Sequence, residues 1–166
     1  MLIRYEKPDD ADDIGAVVRD AFAPMPFSDG SEADVVERLR TADGFFISLV
    51  AERDGQVVGH AGFSPITVNG KAGPWYQLSP VSVRPDVQRS GIGSALIQHG
   101  LNKLAAKKAR VCMVLGDPAY YQRFGFAHYP DLADTYPEPN PFFMAIAIDG
   151  EVPEGKVSFH PAFYSD

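Results

Sequence analysis

Cysteine is almost absent from this sequence, and the scarcity limits what the protein can be. The one cysteine, Cys112, cannot form an intramolecular disulfide, which excludes a disulfide-stapled scaffold. It stands in an apolar run, so a buried and inert thiol is expected there rather than a nucleophile. Histidine is also sparse, and the four residues show no ligand spacing that would predict a metal site: His60, His99, His128 and His160.

Long hydrophobic runs are missing as well. No run approaches the roughly 20 apolar residues of a membrane-spanning helix, so no membrane partner is expected. The first residues include Arg4, Glu6 and Lys7 and lack the apolar core of a signal peptide. A cytoplasmic location is therefore the expectation.

The chain has no excess of basic residues. Its 15 Lys and Arg against 22 Asp and Glu give a net charge of −7, which argues against a general nucleic-acid-binding protein. Internal repeats and low-complexity segments are absent too. With 166 residues, 45% hydrophobic and 22% charged, the composition predicts one globular domain spanning residues 1–166.

The most informative stretch is residues 78–95. An apolar run ends at Val83, and a loop with Gly91 and Gly93 then opens a long helical pattern. Glycines at a helix start leave the first N–H groups free to converge on an anion, so a phosphate-binding loop is predicted. Leu96 stands where a dinucleotide fingerprint needs its third glycine, and the Gly-Lys-Ser/Thr ending of a P-loop is missing, so both of those motifs are excluded.

Positive charge is concentrated around this loop. From Arg84 to Arg110 there are six basic residues and Asp86 is the only acid. Such a local field favours an anionic ligand, and Arg89, inside the loop, is predicted to contact phosphate. Three lysines late in the helix are interpreted instead as its solvated end: Lys103, Lys107 and Lys108.

Two helices are predicted near the N-terminus. The first begins after Pro8 and has apolar residues at helical spacing: Ile14, Val17, Val18 and Ala21. The second begins at Ser31, which forms a capping box with Asp34. The loop between them exposes Met25 and Phe27, which serve either as a lid over a substrate or simply as packing.

The remainder of the chain predicts a sheet. Strands at 46–52, 56–63 and up to Val83 are joined by tight turns and form an antiparallel meander. A crossover helix then leads to a strand at 110–115, which implies a parallel pair. Within that helix, Gly100 indicates close packing on the sheet. A loop at 136–141 precedes a last strand at 142–148.

Two motifs in this order resemble those of the GNAT superfamily of N-acetyltransferases. Gln88, Gly91 and Gly93 match its Gln/Arg-x-x-Gly-x-Gly/Ala pyrophosphate motif, and Tyr121 with 125–126 matches its Tyr-x-x-x-Gly-Phe signature. The resemblance covers residues 3–149. It implies an α/β fold: a mixed central sheet, antiparallel meander plus a splayed parallel pair, flanked by helices. The central strand and the tail 155–163 further resemble a bacterial subgroup of predicted acetyltransferases.

The resemblance implies transfer of the acetyl group from acetyl-CoA to a primary amine of a small molecule or peptide, by direct attack in a ternary complex. It makes the backbone N–H of Val81 the oxyanion donor and Tyr121 the general acid, while Tyr120 is interpreted as aromatic packing. The residues expected to contact acetyl-CoA are Val81, Ser82, Val83, Gln88, Arg89, Ser90, Gly91, Ile92, Gly93, Ser94 and Tyr121.

The general base stays open at this stage. Some relatives place a glutamate where this chain has Gln77, which cannot accept a proton. Glu52, His60 or a water chain are the remaining candidates. A non-catalytic acyl-CoA-binding regulatory domain of the same fold is therefore the alternative function. The family resemblance also implies a homodimer.

Overall fold

The computed structural model describes residues 1–134 and 140–164, which contain eight strands and four α-helices. The strands are β1 (Leu2–Tyr5), β2 (Ile47–Arg53), β3 (Gln56–Val68), β4 (Lys71–Val83), β5 (Val111–Leu115), β6 (Leu132–Ala133), β7 (Phe143–Ala147) and β8 (Gly155–Ser158). The helices are α1 (Ala11–Phe22), α2 (Glu32–Thr41), α3 (Ile92–Ala106) and α4 (Pro118–Tyr121). The loop predicted at 136–141 falls for the most part outside the described residues. No helix in the described segments is long and apolar enough to cross a membrane.

The strands form one mixed sheet in the order β1-β2-β3-β4-β5-β7. Neighbours are antiparallel from β1 to β4 and between β5 and β7, while β4 and β5 are parallel. The predicted fold class is confirmed. The sequence did not predict β8, which pairs with the far end of β3 and with the short β6.

Helices cover both faces of the sheet because each presents one apolar side. On the first face, α3 buries Ile97 and Leu104 against Leu49, Phe63 and Leu78. On the second face, α1 and α2 pack against β2 and β3, and the predicted apolar residues of α1 are all buried there. We call these the α3 face and the α1/α2 face.

The predicted capping box at the start of α2 is wrong. Ser31 has helical backbone angles and its side chain makes no cap hydrogen bond. Instead, the Ser31 hydroxyl and amide both donate to Asp29, the amide over 2.9 Å. A cap side chain reaches the first helical N–H groups from an extended backbone, so the helical angles of Ser31 prevent the cap, and its hydroxyl bonds to Asp29 two residues upstream instead.

Gly100 packs directly on the sheet, as predicted, because a Cβ atom there would overlap the Phe63 ring. We expect Gly100→Ala to lower the free energy of unfolding by about 1–3 kcal/mol, since a closely packed core cannot absorb the added methyl. Gly15→Ala in α1 is the matched control: its Cβ would meet only the flexible end of Arg19. There the better helix propensity of alanine should raise stability slightly. Urea unfolding of both variants measures the two changes in the free energy of unfolding. Equal changes for Gly100→Ala and Gly15→Ala would contradict the prediction.

A gap opens in the centre of the sheet where β4 and β5 diverge. They pair only over residues 75–77 and 111–113, and β4 continues to Val83 beyond that ladder. On its other edge, β4 carries a β-bulge: Ala61 faces Val81 but Phe63 faces Leu78, so β4 has one extra residue there. Pro80, which has no N–H to contribute, lies within this interruption of the ladder.

Candidate active site

The bulge determines which backbone groups of β4 face the gap. The Arg84 amide donates to the Val58 carbonyl over 2.8 Å, which makes them a hydrogen-bonded pair of the β3–β4 ladder. Hydrogen-bonded pairs recur at every second residue of an antiparallel ladder, so the N–H and C=O groups of Ser82, opposite His60, also point toward β3. The N–H and C=O groups of Val81 and Val83 therefore point into the gap. The cofactor contact predicted for Ser82 has no backbone group available at this edge.

The glycine loop between β4 and α3 has the shape that its sequence predicts. Gly91 is the residue before the helix and has a φ of +87°, while Arg89 has a φ of +62°. This left-handed conformation is costly for residues other than glycine, so Gly91 is required by the turn itself. The first N–H groups of α3 are therefore free at the end of the loop, where the helix dipole adds positive potential.

A cavity of about 450 Å³ lies over this loop. It is lined by Val83, Gln88, Arg89, Gly91, Ile92, Gly93, Ser94, Tyr120 and Arg123. These lining residues include two arginines and no carboxylate, so the cavity is suited to an anion. Most of the predicted cofactor-binding residues are thus brought together. Of the three lysines interpreted as the solvated end of the helix, Lys107 and Lys108 are exposed. Lys103 lies over the Tyr5 ring, and Lys107, directly after α3, lies over the Phe46 ring.

Two side chains of this cavity were missed or undervalued in the sequence-based predictions. Tyr120, interpreted as packing, has its hydroxyl 3.4 Å from the Ser94 hydroxyl. Arg123 was not singled out, yet its guanidinium stacks 4.6 Å over the Tyr120 ring and donates to the Tyr120 carbonyl over 3.0 Å. The available signal was their spacing, since residues three apart on a helical turn share a face.

Tyr121 does not line the glycine-loop cavity but lies beside the end of β5. Its ring packs on Gly116, at the end of β5, and lies edge-on to Phe126 at 5.8 Å. Burial, together with Tyr120 and Cys112 nearby, raises the pKa of Tyr121 well above its usual value. The phenol therefore keeps its proton at neutral pH. Cys112 is fully buried, as predicted, and burial raises the pKa of its thiol.

The base candidates lie in very different places. Glu52 pairs with Arg4 at 3.6 Å on the β1–β2 edge, two strands from β4, and is not brought to the gap. His60 is fully buried on β3, directly opposite Ser82. Gln77 is buried between Ser64 and β5. Within residues 1–134 and 140–164, no three His, Cys, Asp or Glu side chains gather as a metal-ligand set.

The burial of His60 predicts a pH-dependent stability. Burial, only partly opposed by the charge of Glu6, lowers the pKa of His60 from 6.5 to about 4, and Arg40 adds to the lowering. Between these values the unfolded chain holds more protons, so the free energy of unfolding should fall by up to about 3 kcal/mol as the pH drops through this window. Carboxylates such as Glu6, whose usual pKa of 4.5 is lowered in the folded protein, affect stability mainly near and below pH 4.5, so the effect of His60 is measured above about pH 5.

Urea unfolding of the wild type and His60→Gln at about pH 7 and about pH 5 measures this effect. The variant should lose most of the pH dependence, because glutamine does not titrate. An identical slope in both proteins would show that His60 is not the group responsible.

Comparison with known proteins agrees with this geometry. Residues 16–126 match the model of the acetyltransferase (GNAT) family. The uncharacterized N-acetyltransferase YhbS of Escherichia coli K12 is 35% identical over 170 aligned positions, with 98% of each chain covered. The E. coli protein YjhQ, also described as an uncharacterized N-acetyltransferase, is 36% identical over 80% of this chain and 72% of its own.

Solved structures show the same similarity. A GNAT family acetyltransferase from Brucella melitensis, crystallised with acetyl-CoA, is 43% identical with a TM-score of 0.88, covering 98% of this chain and 97% of its own. YhbS from E. coli in complex with CoA is 33% identical with a TM-score of 0.90, covering 99% and 92%. With the glycine loop, the gap beside β4 and the tyrosine motif already in place, these matches show that the chain belongs to the GNAT family of acetyltransferases.

Proposed function

We propose that this protein, acting as a single domain over residues 1–166, transfers the acetyl group of acetyl-CoA to a primary amine of a small molecule or peptide. The observation that carries the proposal is the placement of three groups. The glycine loop and Val83 line one cavity, the backbone of Val81 lies two residues back on the same edge of β4, and Tyr121 packs on Gly116, which directly follows β5. In this arrangement an anion binds at the glycine loop, an extended polar chain lies along β4, and the reacting group lies near Tyr121.

In this proposal the cofactor binds with its pyrophosphate on the N–H groups of residues 91–94. Arg89 and Arg123, which line the same cavity, supply positive charge to the phosphates. The pantetheine arm then extends along the free edge of β4, where Val83 offers backbone hydrogen bonds in the manner of a neighbouring strand. Relatives crystallised with acetyl-CoA and with CoA support this assignment of the ligand.

The chemistry follows from the two groups at the inner end of the gap. The Val81 N–H donates to the thioester carbonyl oxygen as that oxygen gains negative charge, and a preorganised donor of this kind contributes about 100- to 1000-fold in rate. Tyr121 donates its proton to the departing thiolate. An unperturbed phenol near pKa 10 and a thiol near 8.5 are mismatched by roughly 2 kcal/mol. Burial raises the pKa of Tyr121 and widens this mismatch, so the transfer depends on a hydrogen bond that forms as the thiolate leaves.

The position of Tyr121 favours an enzyme over a non-catalytic binding domain. A domain that only bound the cofactor would need the loop and the strand edge, but it would have no use for a protonated phenol held beside the reacting end. The packing of this ring on Gly116 indicates that its position is built into the fold.

A screen of primary amines tests the proposed activity. The purified protein is incubated with acetyl-CoA and each amine, CoA thiol release is followed against an enzyme-free blank, and products are identified by mass. We expect at least one amine to yield an acetylated product at a rate that depends on protein concentration. Acetyl-CoA binding without transfer to any amine in a broad screen would instead favour the binding-domain alternative.

A further inference from the structure

A chain of four polar side chains runs through the protein beneath α2. Arg40 donates to the two carboxylate oxygens of Glu6 at 2.8 and 3.1 Å. The Ser48 hydroxyl lies 2.8 Å from Glu6 Oε1 and 2.9 Å from His60 Nε2. The chain thus connects α2, the end of β1, β2 and β3, and it ends at a fully buried imidazole.

The donors available in this chain fix where its protons lie. Burial alone would raise the pKa of Glu6, but the hydrogen bonds from Arg40 and Ser48 outweigh it and hold the pKa below its usual value. The ionised carboxylate can only accept, so Ser48 gives its single proton to Glu6. The Ser48 oxygen then accepts from His60 Nε2–H. A neutral His60 therefore carries its proton on Nε2 and a lone pair on Nδ1.

His60 Nδ1 is one of four buried polar atoms on β3 and β4 that lack partners among the described residues. His60 Nδ1 and the hydroxyl of Ser82, the directly opposed residue on β4, make no hydrogen bond within the described part of the chain. The same holds in the described structure for the hydroxyl of Ser64 and the side-chain oxygen of Gln77, which also form an opposed pair. We call these four residues the polar strip.

The polar strip lies on one face of the sheet. His60 and Ser64 are four residues apart on β3, and the β-bulge shifts the alternation of β4 so that Ser82 and Gln77 share their face. That face is not the one covered by α3. Because an unsatisfied buried polar group costs about 1–3 kcal/mol, four of them together indicate a place for a polar ligand.

We propose that His60 Nδ1 accepts the proton of the acceptor amine, which binds at the polar strip. This inference rests on the proposed acetyl transfer. The bound ammonium passes one proton to Nδ1, and the neutral nitrogen then bonds to the thioester carbon. The C–S bond breaks, the thiolate takes the proton of Tyr121, and the second proton of the nitrogen leaves through solvent and restores the phenol. Ser82 directly follows Val81, whose N–H faces the thioester oxygen, so the strip adjoins the reacting carbon. Ser48 and Glu6 are positioning residues.

The same chain provides a route by which the proton leaves. Imidazolium at His60 is stabilised by Glu6, 3.9 Å from Nε2, and can release the Nε2 proton through Ser48 to that carboxylate. Glu6 lines a surface cavity of about 210 Å³ together with Ser48 and Arg40. The charged groups that face His60 are thus Glu6 and Arg40, and its pKa of about 4 keeps Nδ1 unprotonated between turnovers. The same low pKa makes His60 a weak base, so proton acceptance depends on Glu6, which favours the imidazolium and receives its proton through Ser48.

The tautomer of His60 is the first test, and it needs no activity. In long-range ¹H–¹⁵N spectra of the wild type at neutral pH, we expect His60 in the Nε2–H form. Ser48→Ala removes the acceptor for that proton and should raise the Nδ1–H population, whereas His99, exposed on α3, should not change. A wild-type His60 that is doubly protonated, or protonated only on Nδ1, would overturn the proposal.

The second test compares two small acceptors, ethylamine, which is protonated at neutral pH, and hydroxylamine, which is largely neutral. His60→Gln retains a donor toward Ser48 but has no basic lone pair. We expect it to slow transfer to ethylamine by about 100-fold or more and transfer to hydroxylamine by less than about tenfold, with unchanged acetyl-CoA affinity. His99→Gln is the matched control and should behave as wild type.

The outcomes separate this inference from the function on which it rests. Equal losses with both acceptors, or no loss, would remove His60 as the proton acceptor while leaving acetyl transfer intact. A wild-type protein that binds no acetyl-CoA would instead remove the proposed function, and with it the role of His60.

Discussion

Replacing Gly93 by valine is expected to weaken acetyl-CoA binding by about 100-fold or more. Gly93 lies in the first turn of α3, and a Cβ atom there would point into the cavity, 3.1 Å from the Tyr120 hydroxyl and 3.7 Å from Val83. The valine side chain would fill the space needed by the pyrophosphate. Losing two hydrogen bonds to a charged group, at about 1.5 kcal/mol or more each, accounts for this factor.

Calorimetric titration measures that affinity, and Gly15→Val provides the matched control. Gly15 is also a helical glycine, but it lies in α1, away from the glycine loop, and its Cβ would meet only the guanidinium end of Arg19. The control should bind acetyl-CoA as the wild type does. Wild-type affinity in a folded Gly93→Val protein would show that the pyrophosphate binds elsewhere.

Tyr121→Phe is expected to lower turnover by about 100-fold or more while acetyl-CoA affinity changes only a few-fold, because the variant loses the proton donor alone. The phenylalanine ring can still pack on Gly116 and Phe126, so the site should keep its shape. Steady-state kinetics with an amine identified by the screen, combined with a binding titration, separates the two effects.

A control for this variant is Tyr129→Phe, since Tyr129 packs in the hydrophobic cluster beside β8 and not at the gap. It should retain wild-type turnover. If Tyr121→Phe turned over acetyl-CoA as fast as the wild type, another group would have to protonate the thiolate.

Features that depend on local chemistry could be predicted from the sequence. Gly91 is needed where the loop adopts a positive φ, and the apolar spacing of α1 matches the residues that are buried in it. The tight turns, the crossover and the parallel pair follow from short patterns and from the handedness of connections. The position of the glycine loop could therefore be predicted from the residues, whereas the tyrosine motif was identified by its resemblance to the GNAT family.

Features that depend on distant contacts or on a single helical step could not be predicted from the sequence. A helix of four residues gives no period from which to tell that Tyr120 lines the glycine-loop cavity while Tyr121 packs beside the end of β5. The surroundings of His60 come from β1, β2 and α2, so no local pattern shows that its Nε2 has a partner and its Nδ1 has none among the described residues. The capping box predicted at Ser31 is also absent, because the backbone of Ser31 is helical and its hydroxyl donates to Asp29.

Amide chemical shifts test the central claim most directly, because acetyl-CoA is assigned here to particular backbone N–H groups. In a titration of ¹⁵N-labelled protein, we expect large changes at Val81, Val83 and residues 91–94 as acetyl-CoA is added. The amide of Ser82, paired with β3, should change less, and that of Gly55, in the turn between β2 and β3, should not move. Saturable shifts confined to other parts of the chain, or no shifts at all, would contradict the proposed binding mode.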